Sequence, residues 1–481
     1  MTDSNRLRLA YVTENTVGTT PSTPTMRNLR VTGESLDYSI ETTRSEEIRA
    51  DRLTPDLLQT SARVNGGFNF EMSYGAFDEF IESAMFSAWN NTSERVNITA
   101  DSIITDVAAS TGTFTVTTGT AFAAGHLIRT SGFTNAGNNG LFRANSGNAT
   151  SVVVGSGVGT VNETAPPAGA RIKVVGFRGA SGDITATGTG LGSTALDFTT
   201  LGLRVGQWVK IGGAVAGEQF ATAANNGWAR VTAIAVTALT LDNLPSGWAT
   251  DSGTSKTITV YVGDQIGVGT AMKSFSIEKV LLGQASPSYM IYRGLVANTL
   301  NLNFAVGSIL TGSLDFLGMT SALSGSAAGS SYVESASNEV LNSVSDMGRV
   351  AENGAVVGSP NFITQMSLTL NNNLRERTAI GAMGLVGIGA GDSNITGQIT
   401  TYFGSDALYQ KFINNTASNI NLRVQKSGKA YVFGLPRIKF SSGRVVAGGR
   451  NQDVVAELGF QALRDTATGN QFLIDRFEEF A

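Results

Sequence analysis

The chain has no cysteine in its 481 residues. That excludes disulfides, thiolate nucleophiles and cysteine metal sites. There is one histidine, His126, so a histidine metal cluster would have to draw on several chains. Charge is scarce as well: charged residues make up 15% of the chain, against about 25% in an ordinary soluble domain. The deficit points to surface that an assembly buries, or to a neutral surface of Ser, Thr and Asn. The net charge of -4 leaves no basic footprint for gripping phosphates. No apolar run approaches the ~18–20 residues of a membrane helix, so no membrane partner is expected. The start, Met1 to Arg6, lacks the charged-then-apolar profile of a secretory signal. Synthesis and use without secretory export are therefore expected, which counts against an outer-membrane barrel of similar Gly-rich composition.

Catalytic signatures are equally thin. A Ser-His-Asp triad would need His126, and no G-x-S-x-G elbow occurs. Gly387-Ile388-Gly389-Ala390-Gly391 lacks the third-glycine spacing of a dinucleotide loop, and Gly428-Lys429 is not followed by Ser or Thr as a P-loop requires. No EF-hand spacing appears. A glycan-cleaving enzyme needs two carboxylates in a cleft, and no aromatic-lined groove is recognisable. The expectation is a protein that is not an enzyme and carries no metal or cofactor.

What the chain does have is a period of two, the mark of strands with one buried face. Leu36, Tyr38 and Ile40 alternate with polar residues. So do Phe68, Phe70, Met72 and Tyr74; Leu300, Leu302 and Phe304; Met366, Leu368 and Leu370; and Val454, Ala456, Leu458 and Phe460. Helical spacing is rare. Phe77, Phe80, Ile81, Ala84 and Met85 line one face of a short helix. A second short helix is expected after Ser405-Asp406, with Ser405 or Asp406 as its N-cap.

Two kinds of internal repeat organise these strands. The first relates the ends of the chain. Ser35-Leu36 leads to Arg44, Ile48 and Leu53, and Ser367-Leu368 leads to Arg375, Ile380 and Leu385 at nearly the same spacing. Each segment then reaches a second strand (68–74 or 395–403) that runs through aromatic-Gly into a short helix. Late in each half, 311–318 resembles 454–460. The second repeat has a period of about 81–87 residues: Gly125-His126-Leu127-Ile128-Arg129 resembles Gly206-Gln207-Trp208-Val209-Lys210, and Asn138-Asn139-Gly140 resembles Asn225-Asn226-Gly227. The expected fold is mainly β. Residues 1–99 with 264–323 form a discontinuous first core and 359–481 a second core, each with a short helix. Two inserted β domains, 100–180 and 181–263, hang outside the main body, because insertions survive at exposed edges. Residues 324–358, rich in Ser, Gly and Ala, read as a linker, with room for a short helix around 334–347. Trp208, Trp228 and Trp248 are core residues of the second insert or, if solvent-facing, a platform for glycans.

One stretch is dense in both charges: Arg44-Ser45-Glu46-Glu47-Ile48-Arg49-Ala50-Asp51-Arg52. It is either a solvated loop whose charges pair locally or a loop that docks on a neighbouring copy, the charges setting register. Arg375-Glu376-Arg377 holds the matching place in the second half.

Residues 28–98, with Glu34-Ser35-Leu36, Thr43 to Arg52, the 68–74 strand and Phe77-Asp78-Glu79-Phe80-Ile81, resemble the tail tube (major tail) proteins of long, non-contractile-tailed bacteriophages. The resemblance is fainter over 264–323 and 359–481 and does not cover the inserts. It implies a β-sandwich core flanked by a helix, with sheets joined side by side into a ring around a continuous inner barrel. It also implies that rings stack into a hollow tube for viral DNA. Loops 44–60 and 375–394 then supply the inter-ring contacts, with Arg44, Glu46, Glu47, Arg49, Asp51, Arg52, Arg375, Glu376 and Arg377 as the candidate residues. The implied partners are other copies of the chain, the tape measure protein, the tail terminator, baseplate or distal tail proteins, and passing double-stranded DNA held without specific binding. The implied location is the virion tail, after synthesis in the host bacterial cytoplasm. A ring of such proteins usually needs six core units, so if both halves are cores, three chains close one with pseudo-sixfold symmetry. The competing expectation is a secreted or surface β-repeat adhesin.

Overall fold

The computed structural model of the chain describes residues 3–284 and 286–481. Met1, Thr2 and Ala285, which the sequence reading places in the first core, lie outside the described residues. The fold is mainly β, with eighteen strands hydrogen-bonded into one network and two short α-helices among the described residues.

The alternating segments become the strands of a central sheet. In chain order the first half begins with β1 (Gly33–Glu34), the hairpin strands β2 (Asp37–Arg44) and β3 (Leu57–Asn65), which pair with each other as a two-stranded extension, and β4 (Gly67–Glu71). They are followed by β5 (Tyr289–Ala305), β6 (Thr311–Leu317), β7 (Ile363–Asn371), β8 (Asn394–Tyr402), β9 (Lys429–Ala447) and β10 (Val454–Ala462). Across the sheet the order is β1–β4–β6–β5, then β7–β8–β10–β9, every neighbour antiparallel. The second half thus repeats the strand order of the first, and β5 and β7 join the halves.

The register is equally parallel. Leu314 and Leu458 face Phe68 and Ile399, which in turn face Glu34 and Met366. Ser35-Leu36 and Ser367-Leu368 therefore stand at one station. Gly66 and Gly397 stand opposite Leu36 and Leu368. At both, the carbonyl oxygen of the serine before that leucine crowds the place of a Cβ, 2.0 Å from it at Gly66 and 2.4 Å at Gly397, where the Phe460 ring stands 2.2 Å away as well. Only glycine lets the strands approach so closely.

β5 and β9 each carry a bulge at the same station, between Ala297 and Thr299 and between Phe440 and Ser442. A bulge bends its strand, and here the bend passes each long strand from the central sheet into an outer one. The outer sheet of the first half adds Leu7–Thr13, Ser274–Leu281 and Thr320–Ser324. That of the second adds Met347–Glu352, Ser418–Lys426 and Leu473–Phe477. Met347–Glu352 comes from the Ser/Gly/Ala-rich stretch, where no helix forms; that expectation is corrected. Its hydrogen-bonding groups are taken by the outer sheet instead. Between the layers, Phe68, Phe80, Phe275, Leu300, Leu368, Leu458 and Phe460 belong to one apolar cluster spanning both halves. Each such side chain contributes roughly 1.5–3 kcal/mol by leaving water.

Helix α1 (Asp78–Met85) turns Phe80, Ile81, Ala84 and Met85 into that cluster. Asp78 and Glu79 in its first turn suit the positive end of the helix. Helix α2 (Ala407–Ile413) is shallower and buries Leu408 alone. Its expected side-chain cap is absent. Asp406 holds the N-cap position without a side-chain bond to the helix start, and the Ser405 hydroxyl accepts from Asn361 Nδ2 at 2.7 Å.

The segment between α1 and Ser274–Leu281 folds into sheets of its own, with strands of 126–178 and 208–262 hydrogen-bonded together. Its internal repeat is visible atom by atom. Asn138 and Asn225 are fully buried. Each donates its amide to a backbone carbonyl (Val161, 2.9 Å; Ala249, 2.8 Å) and accepts from the same residue's N–H. His126 and Gln207 each accept the N–H three residues back, Ala123 and Arg204. Burial pushes the His126 imidazole down to about 4, so it serves as a neutral turn-closing acceptor.

This segment does not hang free. Trp208, Trp228, Tyr261, Leu127 and Val175 pack with Ala430, Val432 and Phe477 of the second half. Trp208 and Trp228 are thus buried docking anchors, and Trp248 donates its indole N–H to the Thr187 carbonyl at 2.7 Å. The solvent-facing tryptophan platform expected as one reading is therefore not formed. At the seam, Arg476 reaches Asp78 at 2.6 Å and Asp264 at 2.7 Å, and Lys173 reaches Asp264 at 2.6 Å. One partly buried charge network, centred on the buried Asp264, therefore ties α1, the inserted segment and the C-terminal strand together.

Candidate assembly surface

Alternation along the central strands leaves the face away from the core to short polar side chains. One row across the sheet reads Asn69, Ser313, Asn301, Thr369, Thr396, Gln461 and Lys439. Another reads Thr311, Asn303, Ser367, Gln398, Gly459 and Ser442. Hydrogen bonds run along the rows and across the joint between halves: Asn301 Nδ2 to Ser313 Oγ at 3.0 Å, Thr369 Oγ1 to Asn301 Oδ1 at 2.8 Å, and Gln365 Nε2 to Asn303 Oδ1 at 3.2 Å. The charges on this face are sparse. Glu71 and Asp315 stand toward one side; toward the other are Lys439 and the pair Glu457–Arg444 at 2.8 Å.

The sheet ends in two open edges. On one side, β1 pairs with β4 and β2 with β3, and their opposite edge has no strand among the described residues. On the other side, the Ser442–Ala447 part of β9 pairs with β10 and has no second neighbour among the described residues. An unpaired edge is a template for another chain.

Two hairpins project from the sheet at matching stations. The first, β2–β3, continues the strands outward from Asp37–Asn65 to Arg44–Leu57. All the charged residues singled out in its tip, Arg44, Glu46, Glu47, Arg49, Asp51 and Arg52, are exposed. Arg49 and Asp51 form a local ion pair at 2.8 Å, which lowers the Asp51 carboxyl and raises the Arg49 guanidinium. Among the described residues the other four make no salt bridge. Apolar side chains that charge patterning does not reveal stand beside them in solvent: Ile48, Leu53, Leu57 and Leu58.

The second hairpin, Arg375–Arg377 with Gly387–Gly389, bends back over the first half. Leu385 and Ile388 pack on Phe86, Val296 and Leu317, and the Met383 carbonyl accepts the Ala62 N–H at 2.8 Å. Arg63 joins the two hairpins by bridging Glu41 at 2.9 Å and Glu376 at 3.3 Å. Arg375, Glu376 and Arg377 are exposed, and Ile380 at the tip stands fully in solvent.

A polar-faced sheet with two open edges and projecting hairpins is the design of a structural protein. The comparison with known families agrees. The family model of the phage tail tube protein matches residues 4–462, and the chain belongs to that family. No curated protein matches the chain. Its role is therefore structural, in the tube of a phage tail, and its place is the virion.

Proposed function

We propose that copies of this chain join edge to edge into a closed ring, that rings stack into a hollow tube, and that double-stranded DNA passes through it toward the host without specific binding. The observation that carries this reading is the joint between β5 and β7. There the last strand of the first half lies antiparallel to the first strand of the second, and the outer edges left over are the counterparts of those two strands. The two halves act as two cores of the ring, so three chains close it with pseudo-sixfold symmetry. Closure removes both open edges at once.

The face of Asn, Gln, Ser and Thr lines the bore. With few cations there, and a net negative chain, it offers DNA a wet, weakly charged wall rather than a binding site. The hairpin tips at 44–60 and 375–394 reach the next ring, the exposed Ile48, Leu53 and Ile380 supplying burial and the charges setting register. The ends of the tube meet the tail terminator and the baseplate or distal tail proteins, and the bore holds the tape measure protein before ejection. Synthesis takes place in the host bacterial cytoplasm. Electron microscopy of concentrated protein tests the reading. Hollow tubes of uniform width with threefold end views are expected, and a chain that stays monomeric at every concentration and with tail initiators present would refute it.

A further inference from the structure

Resting on that reading, the structure goes further and sets the register of the joint between chains. The two halves match station by station, so the internal joint can be transferred to the open edges. Across β6 and β10, Ser313 faces Asn301 and Glu457 faces Arg444; Asn301 and Arg444 are equivalent, each lying the same distance beyond its bulge. On the other side, Thr369 faces Thr396 and Asp37 faces Asn65, three positions past Met366 and Glu34, so Thr369 and Asp37 are equivalent. Inside the chain, Asn301 pairs with Thr369, Leu302 with Leu368 and Leu300 with Leu370.

We propose that Arg444 of one chain stands opposite Asp37 of the next, with Val445 opposite Leu36 and Gly443 opposite Tyr38. The internal amide–hydroxyl pair is thus replaced by opposite charges at the joint between molecules. In the single chain Asp37 has no ion-pair partner among the described residues, and the Arg444 side chain is 70% exposed while touching Glu457. The pair Asp37–Arg444 falls at a position where the backbones do not exchange hydrogen bonds, so the side chains stand closest. Leu36 carries the backbone groups of the joint. Ser35 sends its N–H to Gly67, so the next residue's N–H and C=O point to the open edge. In the single chain these groups are held by side chains: Leu36 N–H by the Glu34 carboxylate at 3.0 Å, and its carbonyl by the Tyr292 hydroxyl at 3.3 Å. Glu34 is anchored in turn by Lys279 at 2.6 Å. The internal joint has Met366 at the Glu34 station. The open edge therefore carries a guard against indiscriminate strand addition that the internal joint lacks.

The absence of cysteine makes the test clean. The full-length protein with Asp37→Cys and Arg444→Cys is assembled and mildly oxidised, then run on a non-reducing gel. Covalent dimers and trimers, with nothing larger, are expected, because non-hydrogen-bonded cross-strand positions suit disulfide geometry. An off-register pair, Ser39→Cys with Arg444→Cys, should stay monomeric. Tubes of the cysteine variants that cross-link off-register or at neither pair would overturn the register and leave the tube intact. Failure of the native protein to form tubes would remove the underlying reading. If the double-cysteine protein does not assemble, charge exchange decides. Asp37→Arg and Arg444→Asp should each weaken a joint about fivefold, and the two together should restore it. Loss without rescue would refute the pairing.

Discussion

The two hairpins of the central sheet share a station and a charge pattern but have opposite surroundings. The second lies on the first half of its own chain, with Leu385 and Ile388 buried. The outer part of the first has no such neighbour among the described residues and leaves Leu53, Leu57 and Leu58 in water. A similar contrast holds for the outer sheets. Leu473–Phe477 is covered by the inserted segment through Trp208 and Trp228, whereas Thr320–Ser324 on the equivalent side of β5 leaves Leu323 exposed. Position in a repeat thus fixes which strands a segment pairs with. What covers its side chains depends on whether the next unit belongs to the same molecule.

That contrast can be broken most forcefully at the hairpins. Leu385→Ala should cost about 2–5 kcal/mol in denaturant melts, as a buried truncation does. Leu53→Ala should leave stability within about 0.5 kcal/mol and shorten tubes seen by microscopy. Equal losses of stability would erase the distinction. Reversal of Glu46, Glu47 and Arg49 together should likewise weaken ring stacking without moving the melting temperature; a melting loss with intact tubes would contradict it.

The covered outer sheet is sharpened by pH. Burial holds the Asp475 carboxyl well above the ordinary value, against hydrogen bonds from the Trp208 N–H and Gln265. Its folded form keeps a proton that the unfolded chain has released, so stability present at acid pH is lost as pH rises through the raised value. Asp475→Asn should remove that loss, its advantage in melting temperature growing with pH. Asp264 acts in the other direction. Burial raises its carboxyl, but Lys173 and Arg476 outweigh that and lower it. Its contribution is present above the unfolded value and lost as pH falls through the lowered one. A constant difference between Asp475→Asn and native protein at all pH values would show that Asp475 is not the source. The smallest effect is at Arg63, whose partly exposed bridge to Glu41 and Glu376 is worth about 0–1 kcal/mol. Arg63→Ala should loosen the contact between hairpins, read as faster amide exchange at Ala62, with little change in melting.

Much of this was legible beforehand because it is periodic and local. Alternation marked the strands that became β4, β5, β7 and β10, and i, i+3, i+4 spacing marked α1. The Asn-Asn-Gly repeat pointed to Asn138 and Asn225, whose identical hydrogen bonds explain why the motif recurs. The charged tip 44–52 was visible by density of charge. The apolar side chains among those charges carried no periodic signal, and neither did the glycines at 66 and 397, whose reason is a facing backbone oxygen. Trp208 and Trp228 looked the same whether buried or exposed, because composition does not say which surface meets them. The Arg476–Asp78 pair spans nearly the whole chain, far beyond any local pattern. Asp406 sits where a cap belongs, yet backbone geometry there leaves its side chain turned to Gln410.

By itself, then, the sequence determined which residues face inward along each strand, since a period of two follows from backbone geometry alone. It also determined that this pattern occurs twice. Only the tertiary structure decided which edges meet and which stay open. That choice rests on pairings such as Leu302 with Leu368, where residues distant along the chain align because a one-residue slip would turn the wrong faces inward and a two-residue slip would move the bulges and glycines off their stations.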